Sequence, residues 1–209
     1  MKILLPIITA VVLLAACTPE QRKEMQTGSL RSDRNQGTKK CLNCDLTNAD
    51  LTDVDLRDAD LSGANLSGAN LSKAYLRKAN LSGANLSGAT LVDTDLEGSN
   101  LTGVNFTRAN LTNAYLNDSN IANGNFTNAN LKSARLDKAK LPNTNFTGAN
   151  LTNAYLNGSD ITNGNFTNSN LTETRLDESN LTGAILDGAI TTKTNFCLAL
   201  MPNGSKSCN

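Results

Sequence analysis

FTRANLTNAYLNDSNIANGNFTNANLKSARLDKA, residues 106–139, realigns without a gap on FTGANLTNAYLNGSDITNGNFTNSNLTETRLDES at 146–179. The two stretches share GNFTN, at 124–128 and again at 164–168, forty residues apart. Inside each stretch a large apolar residue returns at every fifth position, with a small residue two places before it. Followed outward, the pattern runs from Leu46 through Leu51, Leu56 and Leu61 to Leu186, and only Phe and Ile replace Leu at the large position. The small position is usually Ala, otherwise Ser, Thr, Val, Gly or Cys44. A period of five is neither the 3.6 of an amphipathic helix nor the 2 of a simple strand.

This pattern resembles the pentapeptide-repeat family, whose consensus is roughly A-(D/N)-L-x-x, over about residues 45–190. The resemblance implies an all-β fold, a right-handed quadrilateral β-helix with four pentapeptides per coil and with the large and small residues pointing inward. A separate feature supports four per coil. Phe fills the large position only at 106, 126, 146 and 166 within 46–186, so on a twenty-residue coil all four stack on one side. Their small partners are Val104, Gly124, Thr144 and Gly164, and the two glycines are expected to make room beside alternate rings, since overfilled cores cost stability. With coils about 4.8 Å apart, the repeats predict about seven coils and a rod of about 35 Å. Duplication of whole coils suits such a solenoid, because each repeat contacts mainly its neighbours.

The ends differ from the repeats. Met1 and Lys2 lead into the apolar run ILLPIITAVVLLAA, which reads as an export signal over 1–16 and is short for a membrane span. Leu14, Ala15, Ala16 and Cys17 resemble a bacterial lipobox, which implies lipid attachment at Cys17 and an exported, periplasm-facing or outer-membrane-anchored envelope protein. Thr18 rather than Asp after the Cys favours the outer membrane in that resemblance. Residues 17–40 are polar and read as a lipidated N-terminus and flexible tether, 41–190 as the β-helix and 191–209 as a C-terminal cap, since the repeat degrades at Thr191 and recovers once at Phe196.

Besides Cys17 there are Cys41, Cys44, Cys197 and Cys208. Cys41 and Cys44 form a C-x-x-C, open to reading as half a zinc site or a redox pair. A four-Cys zinc site would need the other two, which lie about 35 Å away along the rod. Export favours disulfides, and two local ones, Cys41 with Cys44 and Cys197 with Cys208, are expected to close the solenoid's ends. The turn MPNG at 201–204 would let Cys208 return toward Cys197.

Function is less legible. The chain has no His and a formal net charge of zero, so neither a Ser-His-Asp nor a Cys-His set can form, and no cofactor or metal is expected. Asp45, Asp50, Asp55 and Asp60 each precede a different large Leu, so a square coil points them out of four sides rather than into one calcium cage or carboxylate pair. The Asn-x-Thr triplets match a glycosylation acceptor, yet the repeat itself generates them, and stacked Asn can form amide ladders up the rod. One column of outward residues stands apart: Asp55, Tyr75, Asp95, Tyr115, Arg135, Tyr155, Arg175, which holds every Tyr. Exposed Tyr and Arg are enriched in recognition surfaces, and the alternative is plain stacking along a solvated column. The favoured reading is a non-catalytic envelope lipoprotein, a scaffold or protein-binding rod, held at the membrane by its lipid, with an envelope protein or surface polymer as partner. Two alternatives are weaker. One is mimicry of duplex DNA toward gyrase, which quinolone-resistance members of the family imply. Against it, residues 45–190 carry sixteen acids and ten bases with no long acidic stripe, and no nucleic-acid partner is expected. The other is binding of ice or polysaccharide by the Asn and Thr rows.

Overall fold

The computed structural model describes residues 40–207. Its unit is a turn of four residues followed by one outward residue. At the first full repeat the Leu46 carbonyl accepts the Ala49 N–H at 3.0 Å, and Asn48, third in the turn, has φ 55°. The same positive φ recurs at every fifth position, from Asn43 to Leu198. Asn and Asp tolerate this left-handed region and Gly63 enters it freely at φ 66°, but Lys138 is held there at φ 57° by its turn.

After each turn the outward residue pairs in parallel with the residue twenty further on, from Lys40 with Asp60 to Asn180 with Leu200. Backbone bonds lock that register: the Leu46 N–H donates to Asn65 O at 2.7 Å and the Asn65 N–H to Cys44 O at 2.8 Å. Four turns per twenty residues fold the chain into a four-sided β-helix whose sides are columns of single-residue bridges. Cross-coil bonding satisfies backbone groups that would otherwise be stranded between turns.

Large and small positions alternate into one continuous core, and Leu61 through Leu181 are essentially fully buried. Burying each Leu contributes roughly 1.5–3 kcal/mol. Phe106, Phe126, Phe146 and Phe166 stack with ring centroids 4.9, 5.0 and 4.9 Å apart, as the twenty-residue spacing predicts. Where Ser or Thr replaces Ala at the small position, its hydroxyl finds a carbonyl at every such site but Ser169. Ser99, Ser119, Ser159 and Ser179 donate back to the large residue of their own turn at 2.6–2.7 Å, whereas Thr94, Thr144 and Thr174 donate to the coil below at 2.7, 3.1 and 2.7 Å. Ser169 Oγ is buried without a partner.

The glycines of the Phe column serve a different neighbour from the one expected. A Cβ on Gly164 would stand 2.6 Å from Ile161 Cγ2 and 3.4 Å from the Phe166 ring, and Gly124 repeats this with Ile121 at 2.8 Å. Ile branches at Cβ, where Leu does not, and its Cγ2 methyl fills the space that Ala's methyl takes elsewhere. The glycines therefore make room for Ile121 and Ile161 first, and the rings only touch that space.

At the N-terminal end Cys41 and Cys44 both face inward, with their side chains at disulfide-bonding distance and Cα atoms 5.4 Å apart. At the other end the turn-and-bridge register continues past the expected boundary at 190, through Lys193 and Leu198 to Leu200. The repeat pattern weakens there because Thr191 occupies a large position at the last coil, where less core remains to be filled. The MPNG turn then reverses the chain: Leu200 pairs antiparallel with Lys206, and the Ser207 N–H donates to Ala199 O at 2.9 Å. Cys197 is partly buried and makes no disulfide among the described residues; its expected partner Cys208, together with Cys17, the signal and the tether up to residue 39, lies outside the described residues.

Candidate interaction face

On three sides of the rod the outward residue is mostly Asn, and its side chain is consumed locally. Asn125 Oδ1 accepts the Thr127 N–H at 3.1 Å and the Thr127 hydroxyl at 2.6 Å, while Asn125 Nδ2 donates to Thr107 Oγ1 of the coil below at 3.1 Å. Elsewhere the amides bond directly to each other, Asn85 to Asn65 at 3.1 Å and Asn105 to Asn85 at 3.0 Å. These are the amide ladders the repeat predicts, and they explain why Asn-x-Thr recurs: the Thr hydroxyl closes the Asn turn. The early acids play the same part. Asp45 and Asp50 accept from Thr47 and Thr52, and these hydroxyl and backbone hydrogen bonds hold both carboxyls below their ordinary value of 3.8. Asp45, Asp50, Asp55 and Asp60 pair with Asn65, Asn70, Tyr75 and Asn80 in turn, one on each side of the rod.

The fourth side differs in kind. Bridges tie Tyr75, Asp95, Tyr115, Arg135, Tyr155 and Arg175 into one unbroken outward column. Tyr75 is 49% exposed and Tyr115 39%, far above the core, while Tyr155 is half-buried between its neighbours. The Arg135 guanidinium lies 5.5 Å from the Tyr115 ring centre and 5.7 Å from that of Tyr155, and Arg175 covers the other face of Tyr155 at 5.8 Å. Cation–π contacts at exposed sites contribute about 0.5–1 kcal/mol each. The upper half of the column is thus a Tyr–Arg stack.

The lower half is ionic. Arg77 pairs with Asp95 at 3.2 Å and also with Glu97, and Arg57 pairs with Asp55 at 2.7 Å. Their carboxylate partners raise the pKa of both guanidiniums. Arg57, Asp58, Arg77, Lys78, Glu97 and Gly98 line a shallow groove along this corner. Reading only outward positions misses Arg57, Arg77 and Glu97, because they sit two residues later, on the corner. Their spacing of two from Asp55, Tyr75 and Asp95 is the signal that would have found them.

A β-helical solenoid with three sides dominated by locally hydrogen-bonded Asn and one side bearing Tyr, Arg and Asp is the class of protein these features define. The family description "Pentapeptide repeats (8 copies)" matches in overlapping segments from residue 44 to 201. The chain belongs to the pentapeptide-repeat family, whose members form right-handed quadrilateral β-helices. Among solved structures it is similar to HetL, a pentapeptide-repeat protein involved in heterocyst differentiation regulation from the cyanobacterium Nostoc. That match has 27% identity, covers 91% of this chain and 99% of HetL, and has a TM-score of 0.40. It is also similar to QnrB1, a plasmid-mediated fluoroquinolone resistance protein, at 20% identity, covering 78% of this chain and 86% of QnrB1 with a TM-score of 0.46. A pentapeptide-repeat protein from the Arabidopsis thaliana thylakoid lumen matches at 28% identity over 61% of this chain and 72% of its own, with a TM-score of 0.25. No curated protein matches.

Proposed function

We propose that this chain is a non-catalytic lipoprotein of the bacterial cell envelope, a β-helical rod of about seven coils that binds a partner protein through its Tyr–Arg side. The observation that carries the reading is the contrast between sides. The Asn and Thr groups elsewhere already bond to one another, so a ligand would have to break those bonds, while Tyr75 and Tyr115 are exposed and Arg135 presents a guanidinium edge to water. Aromatic and Arg groups of this kind carry much of the energy of protein interfaces. Commitment of the Thr hydroxyl protons to Asn Oδ1 also weighs against ice or polysaccharide binding by those rows. Mimicry of DNA is disfavoured by charge, since cations at Lys73, Arg77 and Lys78 and again at 132–140 interrupt any acidic surface.

The anchor rests on Leu14 to Cys17 and the polar stretch behind them. Two or more acyl chains are needed for stable anchoring, one being marginal. Mass spectrometry of the mature N-terminus should find an acylated Cys17; an unmodified Cys17, or retention of residues 1–16, rejects the anchor. For the face, replacing Tyr75, Tyr115 and Tyr155 together by Ser should abolish partner capture by crosslinking in intact cells while leaving the β-sheet signal unchanged. Retention of every wild-type partner by that variant rejects the face.

A further inference from the structure

Charge is distributed along the rod coil by coil. Residues 61–80 carry Lys73, Arg77 and Lys78 with no acid, but the coils on either side hold Asp45, Asp50, Asp53, Asp55, Asp58 and Asp60 below and Asp93, Asp95 and Glu97 above. Coils lie about 4.8 Å apart, close enough for neighbouring coils to neutralise each other, and Arg77 does pair with Asp95 and Glu97. Residues 121–140 carry Lys132, Arg135, Lys138 and Lys140 against Asp137 alone, and here the adjacent coils offer only Asp118 and Asp160, offset by Arg108. None of these four cations makes an ion pair among the described residues, and all four are exposed. Asp137 forms no ion pair with them, and its Oδ1 accepts both the backbone N–H and the side-chain amide of Asn157, at 3.2 and 2.8 Å.

The four lie along two successive turns of one coil. Lys132 stands at one corner, Arg135 on the Tyr side, Lys138 at the next corner and Lys140 on the adjoining side. We infer that this band is a docking site for an acidic peptide segment of a partner protein, which wraps the corner between Arg135 and Lys140. The inference rests on the interaction-face reading above and specifies the partner's chemistry. A flat anionic membrane would meet one side of a square rod and miss the cations on the next, whereas an extended peptide follows the corner. Nucleic-acid binding through such a band normally adds base stacking on free aromatic faces. Tyr155 has a guanidinium on each face and Tyr115 has one from Arg135, so base stacking there is largely pre-empted. The Tyr rings instead hold the Arg135 plane, leaving its N–H edge for a carboxylate, which guanidinium binds with two parallel hydrogen bonds.

The test is titration of the purified full chain against a fluorescent oligo-glutamate peptide at low and physiological salt. Wild type should bind with affinity that falls as salt rises. The variant Lys132→Glu, Lys138→Glu, Lys140→Glu should lose at least about tenfold, since like-charge juxtaposition both slows encounter and repels. Reversal of Lys73 and Lys78 should change affinity less than about twofold, because acidic coils already flank them. Arg135→Lys keeps the charge and should still weaken binding several-fold by removing the planar fork. Circular dichroism of each variant should match wild type. The proposal is overturned if the 132/138/140 variant binds the peptide as wild type does, or if wild type ignores the peptide while anionic vesicles or single-stranded DNA bind through these lysines. Partner capture through Tyr115 that survives the lysine reversals would keep the interaction face and remove only its acidic partner.

Discussion

On the side of the rod that carries Asn105, Asn125 and Asn145, every amide is bonded within its turn or to the coil below; on the opposite side, Tyr115, Arg135 and Tyr155 occupy the same backbone positions and leave rings and guanidinium edges facing water. The backbone is the same on both: a turn, a positive-φ residue and one bridge to the next coil. Inside, the Asn side is backed by the Phe stack and the Tyr side by Leu116, Leu136 and Leu156 with Ala114, Ala134 and Ala154. In this fold the core and the surface of one side are therefore set independently, because alternate residues point to opposite faces of the wall. A face can acquire a partner without repacking the interior.

The largest break in that comparison comes from the Phe side's interior. Phe146→Ala should lower stability by about 3–5 kcal/mol through the cavity left between Phe126 and Phe166, read as a drop in the denaturant midpoint, with the Tyr side's binding retained at permissive temperature. Next is Gly164→Ala, whose new methyl would meet Ile161 Cγ2 at 2.6 Å; it should cost about 1–3 kcal/mol. Combining it with Ile161→Leu, which restores the usual Leu and Ala pairing, should recover part of that loss in a double-mutant cycle. Recovery absent from the cycle would return the blame to the Phe166 ring.

A smaller change sharpens the contrast of surfaces. Thr127 both donates to Asn125 and accepts from Asn145, so Thr127→Val should cost about 1 kcal/mol. Tyr115→Ser on the opposite side should stay within about 0.5 kcal/mol. Equal costs in thermal melts would mean the Tyr–Arg stack is as structural as the ladders. The smallest effects separate two buried serines. Ser159→Ala removes a hydrogen bond to Leu156 O and should destabilise slightly, whereas Ser169→Ala removes a buried hydroxyl with no partner and should be neutral or stabilising.

The amino-acid sequence by itself determined the period of five, the twenty-residue register, the inward residues, the Phe stack and the outward Tyr column. Each of these depends only on position within the repeat, and a strict repeat turns position into direction. It also pointed to the amide ladders, because Asn recurs in register on successive coils. What only the tertiary structure decided is which side chain meets which across the coil spacing. That the glycines accommodate Ile121 and Ile161 before the rings, that Ser hydroxyls bond within their own turn while Thr hydroxyls reach the coil below, and that Arg77 turns to acids while Arg135 stacks on Tyr all depend on rotamers. A rotamer is chosen by neighbours twenty residues away in the chain and about 5 Å away in space, so spacing along the sequence names the candidates and packing selects among them.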